Sequence, residues 1–225
     1  IGNDDDVREV VCGGKGILQS MQPGGIIVDH TTTSSSLSHE MNSICLKKGI
    51  NYIDAPVSGG QLGAEKGVLT IMAGGDEKSF QKIKSTLDCY AKFSKLMGPS
   101  GTGQKTKMVN QICIAGLLQG LAEGIFFSEK AGLNLKEVID VISKGAAQSW
   151  QMENRWETMS KDHYDHGFAV DHMRKDLNIA IDEANKNGFD LEMTTLVDQF
   201  YKEVQTIGGS RWDTSSLLKR LHLNE

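Results

Sequence analysis

The sequence predicts an α/β segment followed by an all-helical domain, and three observations support that fold class. Short apolar runs alternate with helical patterns over residues 1–97, and no strand pattern follows residue 98. The chain has 25 glycines against 3 prolines in 225 residues, and most of these glycines precede residue 104. The character of the sequence changes at Gly98-Pro99-Ser100-Gly101. We therefore expect two domains, 1–98 and 99–225.

The α/β segment is built from short strands and amphipathic helices. Residues 25–29 form a short apolar run, as a buried strand does. Residues 34–48 form a helix that begins at hydroxyl residues able to cap it and ends at Gly49. Strands that alternate with helices favour a sheet with parallel pairs. The other expected elements are strands at 51–54, 68–72 and 92–97, and helices at 7–11 and 76–89.

The second domain is predicted to contain one long, almost wholly apolar helix over 104–131. Its longest charge-free stretch, 108–122, has 15 residues, fewer than the roughly 20 that a membrane span needs. A buried core helix is therefore expected, with no membrane partner. Further helical patterns lie near 135–144, 149–161, 169–187, 191–206 and 213–221.

Charge, cysteine spacing and absent motifs exclude several function classes. The net charge of −5 argues against sequence-independent binding of nucleic acid. The four cysteines show no CxxC spacing, which is typical of reduced thiols in a cytoplasm or an organelle matrix. The histidines near 162–166 and at His172 match no zinc spacing, so no metal is expected. The sequence contains no GxGxxG dinucleotide fingerprint. The nucleophile-elbow pattern GxSxG is also absent, which leaves hydrolase chemistry without support.

One candidate ligand loop, 54–60 (DAPVSGG), follows the strand at 51–54 directly. Small residues and a hydroxyl at the carboxyl end of a strand expose backbone N–H groups where open α/β sheets bind ligands. An ordinary glycine-rich turn explains the same residues equally well. Composition and position leave both interpretations open.

A second candidate is Lys107, near the start of the long helix. Lys107, Asn110 and Gln111 stand at i, i+3 and i+4 and therefore share one helix face. Apolar neighbours and the positive end of the helix dipole predict that the pKa of Lys107 is lowered toward the range useful for proton transfer. A solvated lysine in a first turn is the more common case, and Lys105 is expected to be one.

These motifs resemble those of the β-hydroxyacid dehydrogenase family, in the family's order and over essentially the whole chain. The loop 54–60 resembles the substrate-binding motif, and 101–110 (GTGQKTKMVN) resembles the catalytic motif. Residues 28–32 (VDHTT) are similar to a strand and turn that contact the nicotinamide half of the cofactor. Phe168 with 175–177 (KDL) is similar to a C-terminal motif whose lysine approaches the cofactor. The combination favours a catalytic Lys107 over a solvated one.

The resemblance implies an NAD- or NADP-dependent oxidoreductase that interconverts a small β-hydroxyacid and its semialdehyde. The substrate would be of the 3-hydroxyisobutyrate, tartronate semialdehyde, glyoxylate or succinic semialdehyde type. Lys107 would be the general acid in reduction and the general base in oxidation. Ser58, Gly59 and Gly60 would hold the substrate carboxylate, and Asn110 would orient the hydroxyl or carbonyl. The implied cofactor-binding residues are Ile1, Gly2, Thr32, Phe168, Lys175 and Asp176, with Asp176 fixing Lys175.

The same resemblance implies that 1–98 is the later part of a Rossmann-type domain and that 99–225 is a complete helical domain. The helical domain would bind NAD and form a homodimer or homotetramer. About 60–70 residues carrying the phosphate loop of the family are expected to be missing, so the chain as given should bind cofactor poorly.

Two positions refine the resemblance, and one alternative stays open. Gln111 replaces the second asparagine of many members, as in the tartronate semialdehyde reductase branch. Asn110 stands where 6-phosphogluconate dehydrogenases have histidine, which disfavours sugar-phosphate oxidation. The alternative is a non-catalytic scaffold or binding protein on the same frame, and the presence of Lys107 argues against it.

Overall fold

The computed structural model describes residues 1–223 and divides the chain into two compact units. These units are Ile1–Val109 and Asn110–Glu225. The last strand ends before residue 98, as the sequence predicts, whereas the division between the units falls later, inside the long helix. Each unit is described by itself below.

The first unit alternates helices and strands. Strands β1 and β2 pair in parallel, β4 and β5 pair in parallel, and β3 pairs antiparallel with β4. Helices connect the parallel strands, which confirms the predicted α/β class. The strands are β1 (Ile26–Asp29), β2 (Asn51–Asp54), β3 (Val57–Ser58), β4 (Leu69–Ala73) and β5 (Ala91–Leu96), and the helices are α1 (Asp4–Cys12), α2 (Ser35–Leu46), α3 (Gly60–Glu65) and α4 (Glu77–Leu87).

The sequence pattern predicts neither β3 nor α3. With two and six residues, they are too short to produce a periodic hydrophobic pattern. Gly59 and Gly60 connect them with φ angles of 131° and 61°, in the left-handed region that favours glycine. Helix α1 begins at Asp4, earlier than the predicted residue 7, because the Asn3 side chain accepts the Asp6 N–H and caps it.

Two apolar clusters stabilise the first unit. One packs α1 and α2 against the first sheet and includes the fully buried Leu37, Met41 and Tyr52. The other packs α4 against the second sheet around Ile71 and Phe80. The clusters bury the strands and leave the loops at their carboxyl ends to carry polar groups.

The second unit is helical in the part of the chain that the structure describes, and it is built on one long helix, as predicted. That helix, α5 (Thr102–Lys130), starts in the first unit. The region predicted as one helix at 213–221 begins as a 3₁₀ turn and becomes α-helical only at Leu217. The remaining helices are α6 (Leu135–Ile142), α7 (Trp150–Ser160), α8 (Val170–Lys186), α9 (Glu192–Thr206) and α10 (Leu217–Leu223), with 3₁₀ turns at Ile17–Gln19, Gly209–Arg211 and Thr214–Ser216.

Helix α5 is long and apolar enough to cross a membrane by length and composition alone. Its Leu118, Ala122 and Ile125 are nevertheless buried in the apolar cluster of the second unit, against Met173 and Tyr201. A helix face covered by the protein's own helices matches the core helix that the sequence predicts.

Candidate active site

The loop after β2 forms an edge of the first unit that is partly open to solvent. Asp54 to Pro56 are buried, Ser58 is partly exposed, and Gly59 and Gly60 are exposed. The antiparallel pairing of Ser58 with Thr70 fixes the end of this loop before the chain turns into α3. The predicted carboxylate-binding residues are therefore consecutive and accessible.

The side chain of Lys107 lies against this loop. Lys107 is only 7% exposed, and its Nζ donates a hydrogen bond to the backbone carbonyl of Val57 at 2.9 Å. Val57 immediately precedes Ser58, so the ammonium group lies next to the predicted carboxylate-binding residues. Lys105, two positions earlier on α5, is exposed.

Asp54, at the end of β2, anchors the start of the helix that carries Lys107. Its carboxylate is fully buried and accepts backbone N–H groups from Gly101 at 2.7 Å and from Gln104 at 3.0 Å. Burial raises the pKa of Asp54 to about 6, and the N–H donors at the helix start oppose that rise. A Cβ at Gly103 would lie 2.6 Å from the Asp54 carbonyl oxygen, so glycine permits the close approach.

Sequence reasoning missed this role of Asp54. The sequence does contain a signal for it. An aspartate ends the predicted strand, and the Gly-x-Gly segment that starts the long helix has no Ser, Thr, Asp or Asn at the capping position. Only the fold shows that Asp54, some fifty positions earlier in the sequence, caps this helix, since tertiary packing brings the two segments together.

Gln104 connects the start of α5 to the turn after β1. Its side chain is fully buried, its Oε1 accepts the Thr33 N–H at 3.1 Å, and its Nε2 donates to the Thr31 carbonyl at 2.7 Å. These two hydrogen bonds hold the turn on either side of Thr32, the predicted nicotinamide contact.

His30 links the turn after β1 to the loop after β2. Its Nδ1 lies 2.6 Å from the Ala55 carbonyl and its Nε2 lies 2.9 Å from the Tyr90 hydroxyl. A carbonyl can only accept, so Nδ1 carries the proton in the neutral ring and Nε2 accepts from Tyr90. Burial also raises the pKa of Tyr90, which keeps its hydroxyl a donor.

The first residues of the chain lie at the same edge of the first unit as Thr32. Ser34, two residues after Thr32, donates its backbone N–H to Asp4 Oδ1 at 3.0 Å and its hydroxyl to Asp4 Oδ2 at 2.5 Å. Asp4 stands two residues after Gly2, whose own N–H donates to Asp6 Oδ2. These hydrogen bonds join the segment that follows Ile1 and Gly2 to the turn that contains Thr32.

The second unit contains the other predicted site residues on α5 and α8. Asn110 Nδ2 donates to Gln111 Oε1 at 2.8 Å, and Gln111 Nε2 donates to Asp176 Oδ2 at 2.7 Å. Lys175 Nζ lies 3.1 Å from Asp176 Oδ1. Four side chains thus form one continuous polar chain. Phe168 precedes α8 and donates its backbone N–H to Asp213 Oδ2 at 2.9 Å.

Within residues 1–223, no group of three or more His, Cys, Asp or Glu side chains is arranged to hold a metal ion. One histidine of the segment 162–166, His166, lies near the buried carboxylate of Asp213. Asp213 is buried, and it accepts from the Phe168 N–H and pairs with Arg155 at 3.2 Å, while His166 lies 4.0 Å away.

Two family models match the chain from end to end. Residues 1–102 match the NAD-binding domain of 6-phosphogluconate dehydrogenase, and residues 101–221 match the NAD-binding domain of NADP-dependent 3-hydroxyisobutyrate dehydrogenase. Both describe NAD-binding domains, so the cofactor is NAD or NADP.

Known proteins resemble the chain over nearly its whole length. An uncharacterized oxidoreductase of Shewanella frigidimarina is 58% identical, over 98% of this chain and 76% of that protein. The 2-hydroxy-3-oxopropionate reductase of Escherichia coli is 34% identical, over 96% and 74% respectively. The crystal structure of 3-hydroxyisobutyrate dehydrogenase from Salmonella typhimurium superposes with a TM-score of 0.87 at 30% identity, over 97% of this chain and 76% of that one.

Proposed function

Because this chain belongs to the β-hydroxyacid dehydrogenase family, we propose that it interconverts a small β-hydroxyacid and its semialdehyde through Lys107. Membership makes it an NAD- or NADP-dependent oxidoreductase of the hydroxyacid dehydrogenase type. The choice of substrate and the role of the lysine are our proposal. The observation that supports both is the buried Lys107 side chain, whose Nζ lies 2.9 Å from the carbonyl of the residue before Ser58.

The described residues fit the cofactor. Thr32 lies in a turn held on both sides by Gln104, and Asp4, which follows Ile1 and Gly2, hydrogen-bonds to Ser34 at the end of that turn. We propose that Ile1, Gly2 and Thr32 hold the nicotinamide half and that Phe168, Lys175 and Asp176 of the second unit contribute the remaining contacts. A lysine suits a ligand that carries phosphate charge. When bound, NAD(P) supplies or accepts a hydride at nicotinamide C4.

Lys107 would move the proton that balances the hydride. In reduction, the substrate carbonyl carbon gains the hydride and the carbonyl oxygen takes a proton from Lys107 Nζ, which yields the hydroxyacid and a neutral amine. In oxidation, the neutral amine takes the hydroxyl proton. The side chain is shielded from solvent and held on the Val57 carbonyl, so the proton is transferred locally.

The loop after β2 would bind the substrate carboxylate. The Ser58 hydroxyl and the backbone N–H groups of Gly59 and Gly60 are consecutive hydrogen-bond donors, and backbone N–H groups in such turns bind anions. Their neighbour Val57 holds Lys107. Binding the carboxylate there would place the adjacent carbon chain near the lysine, where Asn110 would orient the reacting oxygen.

The test uses the full-length protein, replaces Lys107 by alanine and takes Lys105→Ala as the matched control on the same helix turn. We expect Lys107→Ala to lower kcat at least about 100-fold with succinic semialdehyde or glyoxylate, since a general acid contributes about 10²–10⁴. Lys105 is exposed, so its variant should keep wild-type turnover. Lys107→Ala activity within about tenfold of wild type would contradict the assignment.

Titration of the full-length protein with NADH and NADPH separates this function from the scaffold alternative. A dehydrogenase binds at least one of them, and binding is read from quenching of the tryptophans. A protein that binds neither cofactor, and whose Lys107→Ala variant still interacts with its partners, would be a scaffold.

We also propose that the protein is a homodimer or homotetramer in a cytoplasm or organelle matrix. The second unit exposes large apolar side chains, among them Phe127 at 68% and Val141 at 72%, which a second copy could cover. All four cysteines are free thiols, as in a reducing compartment. Light scattering on the peak eluted from a size-exclusion column measures the molar mass of the assembly. A monomer at micromolar concentration would contradict the proposal.

A further inference from the structure

Gln111 lies at the centre of the polar chain in the second unit, and the proposed function gives it no role. Its Nε2 donates to Asp176 Oδ2 at 2.7 Å, and its Oε1 accepts from Asn110 Nδ2 at 2.8 Å. Gln111 and Asp176 are both buried, at 2% exposure each. Through them, the predicted substrate contact Asn110 is connected to Lys175, whose Nζ lies 3.1 Å from Asp176 Oδ1.

The carboxylate of Asp176 fixes the direction of every hydrogen bond in this chain. A carboxylate only accepts, so the nitrogen and not the oxygen of the Gln111 amide must face it. The sulfur of Met173, a weak acceptor, lies 3.8 Å from the same nitrogen. The Gln111 oxygen therefore faces Asn110, which must donate. The two orientations of an amide differ only by exchange of O and N, and the neighbouring carboxylate selects one of them.

We propose that Gln111 is a positioning residue that converts the charge of Asp176 into a fixed orientation of the Asn110 amide. This inference rests on the proposed function, in which Asn110 contacts the reacting oxygen. In the fixed orientation Asn110 commits one N–H to Gln111 and turns its carbonyl oxygen and second N–H elsewhere. One acceptor beside one donor matches an alcohol, which both donates and accepts.

The reversed orientation of Asn110 would suit the other form of the substrate. Its carbonyl oxygen would accept from Gln111, and two N–H donors would face the ligand. Two donors match a carbonyl oxygen, which only accepts. The orientation set by Asp176 therefore favours the hydroxyacid over the semialdehyde.

Two substitutions reverse and then restore the orientation without changing Asn110 or Lys175. In Asp176→Asn, the new amide keeps its oxygen for Lys175 and turns an N–H toward Gln111, so the Gln111 amide reverses and the Asn110 amide follows. Adding Gln111→Glu places a carboxylate between positions 110 and 176, and this carboxylate accepts an N–H from the amide at each of them. Asn110 then donates again, as in the wild type.

Binding of an alcohol and an aldehyde of equal chain length reads out the orientation. The probes are 4-hydroxybutyrate with reduced cofactor and succinic semialdehyde with oxidised cofactor, so that neither turns over during calorimetry. We expect Asp176→Asn to shift the ratio of the two Kd values about tenfold toward the aldehyde, the equivalent of one hydrogen bond. The double variant should return to within about threefold of the wild-type ratio.

The matched control is Gln119→Met on the same helix. Gln119 is also buried, and its Nε2 donates to Glu123 Oε1 at 2.6 Å, outside the site. This variant removes a buried glutamine from α5 and should leave the ratio of Kd values unchanged. A shift in the control equal to that of Asp176→Asn would show that loss of packing on α5, and not amide orientation, sets the ratio, and would overturn the inference.

A double-mutant cycle of melting temperatures, measured without ligand or cofactor, tests the hydrogen-bond chain separately. Asp176→Asn and Gln111→Glu should each lower the melting temperature by about 5 °C, and the double variant should recover at least half of the summed loss. If the full-length wild type binds neither probe, the proposed function is wrong. The melting temperatures alone then test the hydrogen-bond chain, and additive losses would overturn it. If the wild type binds both probes and all variants keep one ratio, the inference is wrong and the proposed function stands.

Discussion

The two units hold their candidate site residues by different kinds of contact. In the first unit, Asp54, Gln104 and Lys107 all hydrogen-bond to backbone N–H or carbonyl groups of neighbouring loops. In the second unit, Asn110 and Lys175 are connected through side chains only, by Gln111 and Asp176.

The difference has a physical consequence for substitution. A hydrogen bond from a side chain to a backbone group persists when the residue that supplies the backbone group is substituted. It is lost when the residue that supplies the side chain is substituted. A chain of side chains depends on every donor and acceptor in it, because exchanging one carboxylate for an amide reverses its hydrogen bonds. The first unit should therefore fail when an anchor is removed, and the second when the order of donors and acceptors is broken.

The largest effect on stability is expected from Asp54→Ala, which removes the anchor of the first unit. Two buried N–H groups, of Gly101 and Gln104, would lose their acceptor, and each orphaned group costs about 1–3 kcal/mol. We expect a loss of about 2–5 kcal/mol in the free energy of unfolding, measured with urea. Hydrogen exchange should show the loss first in the opening turns of α5.

The control for Asp54→Ala is Asp76→Ala. Asp76 caps α4 by accepting the Ser79 N–H at 2.8 Å, but it is exposed, so water can replace it. Loss of such an exposed cap should therefore lower stability less than loss of the buried Asp54. Equal losses in the two variants would show that Asp54 is an ordinary helix cap and not a buried anchor.

A second prediction concerns pH. Burial raises the pKa of Asp54 to about 6 from 3.8, so the folded protein binds more protons than the unfolded chain between these values. The contribution of Asp54 is therefore fully present below about pH 4 and is lost as pH rises through about 6. At about 1.4 kcal/mol per pKa unit, the loss is about 3 kcal/mol.

The measurement compares urea unfolding of the wild type and of Asp54→Asn at pH 4, 5, 6 and 7. The difference between the two free energies should change by about 3 kcal/mol across this range, with the wild type losing stability as pH rises. Asp76→Asn should show little variation over this range, because the Ser79 hydrogen bonds lower the pKa of Asp76 and its contribution is lost only below about pH 4. A difference in free energy that does not vary with pH would contradict the raised pKa of Asp54.

The smallest effect is expected where the first unit does use a contact between side chains. Tyr90→Phe removes the donor to His30 Nε2 but leaves the His30 Nδ1 bond to the Ala55 carbonyl. One lost hydrogen bond of this kind costs about 1 kcal/mol. We expect that loss in urea unfolding, with turnover within about threefold of wild type. A tenfold loss of turnover would place His30 and Tyr90 in the site itself.

Much of the fold and the set of candidate residues could be predicted from the sequence. The period of apolar residues indicated the α/β segment and the helical domain, because burial of one face imposes that period. Residue types and spacing left the loop 54–60 and Lys107 open between a structural and a functional interpretation, and the resemblance to the β-hydroxyacid dehydrogenases favoured the functional one. β3 and α3 carried no pattern, because two and six residues are too few to show one.

The sequence by itself therefore determined the order of the longer elements, the NAD-binding family and the residues on which a mechanism could rest. Only the tertiary structure decided that Asp54 holds the start of α5, that Gln104 holds the turn around Thr32 and that Asp176 orients Asn110 through Gln111. Each pair is separated by some fifty or more residues or joined through a third side chain. Such contacts leave no period in the sequence, because they form only when distant elements pack together.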